Sequence, residues 1–223
     1  MQETCGFLLT RQWLDTSQGL SLRFWLSTHD GPLLIEQQNQ EGVFFVENKH
    51  LEKSNFLVQS LVSHSRQLTL KSFSQEPVSA FYFSSQHNLR RAATLLKENG
   101  IAALESDVRT VDRYLMERFI TGAITVSGKA VTQAENYLFA QDCKLSPCEY
   151  LPQFKVVSFD IETNIHNNKL ISIAVITQDI ECVFIIGNPL DQINNAEIFQ
   201  NERALLLRFM QWLHEYDPDI LIG

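Results

Sequence analysis

No run of apolar residues in this chain is long enough to span a bilayer, and its first residues lack the basic stretch and apolar core of a secretory leader. A cytoplasmic protein without membrane contact is the expectation. Cysteine is scarce. The four present, Cys5, Cys143, Cys148 and Cys182, are scattered, and the four residues between Cys143 and Cys148 match neither a zinc knuckle nor a redox pair. They read as free thiols. The six histidines, His29, His50, His64, His87, His166 and His214, show no ligand spacing either. Basic residues are outnumbered 18 to 26, a net charge of −8, which excludes a chain that binds nucleic acid through its whole surface. The deficit is uneven: residues 1–150 hold 14 basic against 16 acidic side chains, and residues 151–223 hold 4 against 10.

What is present suits a globular protein. Of the 223 residues, 44% are hydrophobic and 20% charged, enough for one large or two ordinary domains with real cores. Short strands are expected at Gly6–Thr10, Leu20–Ser27, Leu33–Glu36 and Val43–Val46, divided by turn chemistry at Asp15–Gly19, Asp30–Pro32 and Glu41-Gly42. Trp13, Phe24 and Trp25 could stack on bases, but a small antiparallel sheet needs them as core. Residues 50–70 mix helical and alternating spacing. Val78–Ser84 then reads as a strand, Gln86–Asn99 as a helix and Ile101–Ser106 as another strand, a split βαβ unit. Leu89, Ala92, Ala93 and Leu96 form the helix's apolar stripe, leaving Arg90, Arg91 and Lys97 on a solvated face. A further helix is expected at Asp112–Ile120 and a hairpin at Ala123–Val131. Pro147 and Pro152 mark an extended lead into a second domain, so the boundary falls near 150.

The chain is organised around Phe154–Asn164. Val156–Ile161 is β-branched and aromatic, as a half-buried strand requires. Alternation sends Val157, Phe159 and Ile161 to one face and Ser158, Asp160 and Glu162 to the other. The two acidic residues then stand about 6.5 Å apart on one face, where like charges repel. A divalent cation removes the conflict, and paired ions about 3.5–4 Å apart activate water against a phosphodiester. A solvated strand face accounts for the pattern as well. Beyond it, Leu170–Thr177 and Cys182–Gly187 should extend an antiparallel meander, followed by a loop. Asn201 should cap a helix at Glu202–Tyr216, with Leu205, Leu206, Phe209 and Leu213 buried. Ile220–Ile222 reads as the start of an interior strand, and the chain as a fragment.

These residues carry a resemblance. Phe159-Asp160-Ile161-Glu162-Thr163 resembles the first exonuclease motif of the family B DNA polymerases, and Tyr216–Gly223 resembles the approach to their second. Asp107-Val108-Arg109, Arg113–Thr121 and Gly6–Trp13 are similar to the N-terminal region of the bacterial polymerase II branch. The resemblance implies an α/β chain: an α+β N-terminal domain over residues 1–150, then the first half of a ribonuclease H-like 3′→5′ exonuclease domain over 151–223. It implies a parent polymerase that proofreads, with Asp160 and Glu162 as catalytic residues holding two Mg2+ or Mn2+ ions. Its partners would be primer-template DNA, a single-stranded 3′ end and, through segments absent here, a sliding clamp. It also implies a monomer, nucleoid-associated in a bacterial cytoplasm, acting in replication, repair and the SOS response. The chain departs from the pattern by lacking the aspartate of the second motif and both residues of the third, so by itself it should be inert. Two other readings stay open: a non-catalytic nucleic-acid-binding module, and a stand-alone exoribonuclease of the same carboxylate superfamily.

Overall fold

The computed structural model describes residues 3–188 and 193–223, in two compact units of residues 1–152 and 153–223. The first unit opens with three long antiparallel strands, β1 (Thr4–Thr16), β2 (Gly19–Thr28) and β3 (Gly31–Gln40). Two-residue connections join them. Gly19 and Gly31 take φ values of +124° and +113°, which side chains with a Cβ rarely adopt. The Thr16 and Thr28 hydroxyls donate to the carbonyls of Gly19 and Gly31 at 2.7 and 2.6 Å. β4 (Gly42–Glu47), α1 (Leu51–Val58), β5 (His64–Lys71), β6 (Pro77–Phe83) and α2 (Gln86–Glu98) follow. The spacing of residues 50–70 thus resolves into a helix and then a strand.

β4, β6 and β5 form their own antiparallel sheet, with α1 and α2 packed on Phe44, Val46, Phe81 and Phe83. The strand expected at Ile101–Ser106 does not form. Only Leu104 bridges to Phe45, because Glu105 adopts a left-handed φ of 58° and turns the chain away from the sheet. The next helix, α3 (Thr110–Met116), is shorter than the expected Asp112–Ile120, and Phe119 at φ 55° ends the turn that follows it. The expected hairpin at 123–131 is replaced by non-local pairing. β7 (Ala123–Ser127) lies between β1 and β10 (Lys144–Pro147), while β8 (Thr132–Gln133) pairs with β9 (Leu138–Gln141), which runs parallel to β3. The result is a seven-stranded sheet over a core of Leu22, Phe24, Leu26, Ile35, Ile124 and neighbours. Phe24 is fully buried there, and Trp13 packs against the same core with the Arg90 guanidinium 5.2 Å from its ring.

The second unit is a five-stranded sheet ordered β14-β13-β12-β11-β15 with one helix. β11 (Val156–Thr163), β12 (Leu170–Ile176) and β13 (Glu181–Ile186) meander antiparallel, as their alternation and short turns predict. β14 (Ala196–Phe199) adds in parallel to β13, a strand not read in the sequence. The loop expected after Gly187 lies partly outside the described residues. Asn201 caps α4 (Glu202–Tyr216), its side-chain oxygen accepting from the Ala204 amide at 3.0 Å. Leu205, Phe209 and Trp212 press on Val157, Ile173, Val175 and Phe184, whereas Leu206 faces solvent and Trp212 takes the core place expected of it. β15 (Ile220–Ile222) runs parallel to β11 but at the end of the described sheet, half-exposed rather than interior. Among the described residues no helix is long and apolar enough to cross a membrane, and all four cysteines are free thiols.

Candidate active site

β11, which lies between β12 and β15 in the second unit, divides its side chains as a pleated strand must. Val157 is fully buried under α4, and the Phe159 ring lies 6.1 Å from that of Phe209. Ser158, Asp160 and Glu162 emerge on the other face, all exposed. That face carries no helix from the described residues. Asp160 stands opposite Ala174 and Glu162 opposite Ser172, so the neighbouring strand offers small side chains and leaves space above the carboxylates. The ladder shifts register immediately after Glu162, where β12 carries the extra residue Ile171.

Neither carboxylate is consumed by structure. One Asp160 oxygen accepts from the Ile161 amide at 3.0 Å, leaving its other lone pairs free. Among the described residues neither Asp160 nor Glu162 forms an ion pair. Two adjacent, solvated, unpaired acids form part of an oxygen shell for a hard cation, and such ions need several more oxygens than two side chains supply. No group of three or more metal-ligating side chains occurs among the described residues. The donor set therefore fits a divalent cation as a pair of ligands and goes no further.

Beside the pair lies a shallow depression lined by Phe159, Asp160, Ile161, Leu221 and Gly223. A Cβ on Gly223 would come within 3.2 Å of the Phe159 ring and 3.3 Å of its carbonyl, a close approach at this rim. The sequence assigned Leu221 to a covered interior. Its place at the rim of the site depends on which strand it pairs with, which an apolar triplet does not encode. Within the first unit, the basic side chains of α2 lie on a solvated face as expected: Arg90 covers Trp13, while Arg91 and Lys97 are exposed.

Comparison with known proteins places these features in context. The model of the DNA polymerase family B exonuclease domain matches residues 102–223, and that of the DNA polymerase II N-terminal region matches residues 6–41. DNA polymerase II of Escherichia coli (strain K12) is 34% identical over 224 positions, covering 98% of this chain and 28% of its own length. The chain thus spans little more than a quarter of that relative. The structure of the family B DNA polymerase from the hyperthermophilic archaeon Pyrobaculum calidifontis shares the fold with a TM-score of 0.74. It is 15% identical and overlaps 98% of this chain and 30% of that one. With the exonuclease-domain match spanning more than half of the sequence and including β11 with its acidic pair, the chain belongs to the family B DNA polymerases.

Proposed function

We propose that residues 153–223 supply part of a metal-dependent 3′→5′ exonuclease site within a proofreading DNA polymerase, with Asp160 and Glu162 as its first cation ligands. The observation that carries this reading is the pair itself. Two acids share one face of a strand, open to solvent, and neither forms an ion pair among the described residues. Burying or crowding such charges costs free energy unless they have a use, and a divalent ion is the partner that balances them. When bound, such ions neutralise charge at a phosphodiester and make a coordinated water a better nucleophile.

The chain's own residues do the positioning. β11 holds both carboxylates on one rigid strand through its ladder to β12, and Ala174 and Ser172 leave the approach unblocked. The substrate is the 3′ end of a DNA single strand, and the reaction is hydrolysis of its terminal phosphodiester. A water oxygen bonds to phosphorus as the bond to the neighbouring 3′ oxygen breaks. In the full-length protein, Asp160→Ala and Glu162→Ala should each lower excision of mismatched 3′ ends by more than about 100-fold, beyond the usual effect of outer-shell substitutions. Nucleotide addition should be spared. Wild-type excision by the double variant would refute the assignment.

A further inference from the structure

β12 is apolar along its whole length except at one position. In Leu170-Ile171-Ser172-Ile173-Ala174-Val175-Ile176 only Ser172 carries a polar side chain. Ile173 and Val175 are buried with Leu205, Phe209 and Trp212 of α4. Alternation sends Ser172, Ala174 and Ile176 to the other face, the one that carries Asp160 and Glu162. Strands favour branched and aromatic side chains, a preference that does not account for a serine here.

The register decides what that hydroxyl can reach. Ser172 stands directly opposite Glu162 on β11 and opposite Ile185 on β13. Residues so opposed hold their Cβ atoms about 5 Å apart, within reach of a serine hydroxyl and a glutamate carboxylate. The next residue on the same face of β12 is Ala174. Of these three neighbours, Glu162 alone offers a polar side chain. Asp160 is opposite Ala174 and so lies on the diagonal from Ser172, about 7 Å away. Ser172 is half-buried, and among the described residues its hydroxyl has no hydrogen-bond partner. The register shift at Ile171 falls beside this pair, and such irregularities re-aim the side chains next to them.

We propose that Ser172 is a positioning residue for the exonuclease reading, on which this inference rests. Its hydroxyl donates to the Glu162 carboxylate oxygen turned away from the cation and so holds the other oxygen toward it. A hydroxyl-to-carboxylate bond is charge-assisted, and partners that fix a metal-binding side chain raise its affinity for the ion. The test uses full-length protein and a single-stranded oligonucleotide, with thermal unfolding to verify each variant's fold. Ser172→Ala should raise the Mg2+ concentration for half-maximal excision about tenfold, the low end of the loss when such a partner is removed. kcat at saturating Mg2+ should change little. Ser172→Thr, which keeps the hydroxyl, should restore the parent's metal dependence. Direct Mn2+ binding, followed by the electron paramagnetic resonance of the free ion, should weaken in parallel at the sites that Glu162→Ala abolishes. In the Glu162→Ala background, Ser172→Ala should leave the remaining Mn2+ sites unchanged. Parent-like Mg2+ and Mn2+ dependence in Ser172→Ala overturns the inference, as does a change in those remaining sites, provided Asp160→Ala is inactive in the same assay. Activity in Asp160→Ala overturns the exonuclease reading itself and this inference with it.

Discussion

Asp15 leaves the end of β1 and closes the first turn of α2. Its carboxylate accepts from the Gln86 and His87 amides at 2.8 and 3.0 Å and from the Ser85 hydroxyl at 3.0 Å, while Ser85 caps the Asn88 amide. These are the donors a helix leaves orphaned, so Asp15→Ala should cost about 1–2 kcal/mol in urea unfolding, with the m-value unchanged. Asp112 governs a pH effect. Burial pushes its carboxyl up, but hydrogen bonds and charge from Arg11 and Arg109 outweigh this and hold it below the ordinary value. A carboxylate depressed in the folded state stabilises the fold above its unfolded pKa and loses that contribution as pH falls through the folded one. Asp112→Asn should therefore lower stability by up to about 1 kcal/mol near neutral pH, since Arg11 is well exposed. The difference from the parent should close as pH drops below the ordinary aspartate value of 3.8. A gap that persists in acid would mean the partners contribute by packing rather than charge.

At the scale of elements, the second unit hangs on one helix. Trp212 is almost wholly buried, with its ring 6.2 Å from Phe184 and 5.2 Å from Tyr216. Trp212→Ala should cost about 3–5 kcal/mol, enough to unfold so small a unit, and loss of near-ultraviolet dichroism at 25 °C would report it. β4 depends on a different constraint. A Cβ at Gly42 would lie 2.7 Å from a Leu89 methyl and 2.9 Å from the Thr110 hydroxyl, so Gly42→Ala should destabilise by about 1–3 kcal/mol. Elements whose signal is local were legible. α2 and α4 combine a helical stripe with capping residues, and β11 alternates cleanly. Ile101–Ser106 has strand composition too, yet the left-handed Glu105 turns it into loop, and composition does not encode that turn.

For the whole molecule, the cation shell is the limiting quantity. Among the described residues no third His, Cys, Asp or Glu joins Asp160 and Glu162 in a metal-binding group, and two carboxylates bind a hard cation weakly. The 223-residue chain alone should therefore hydrolyse no single-stranded DNA with Mg2+ or Mn2+. Cleavage that disappears in Asp160→Ala would contradict this. The full-length enzyme should lose excision on chelation and regain it when the metal returns. With a net charge of −8, the isolated chain should also bind single-stranded DNA only weakly at physiological salt, and fluorescence anisotropy at two salt concentrations would show it.

From the sequence alone, alternation along β11 decides that Asp160 and Glu162 share a face, and the motif around them decides the family. Both are properties of a few adjacent residues, set by the two-residue repeat of a strand. Tertiary structure alone decides that no helix of the described residues covers this face, that β15 closes beside β11, and that the first turn of α4 docks on Leu170 through Glu202. Those outcomes rest on pairings between residues dozens of positions apart, and such pairings are chosen by burial and register rather than by local composition.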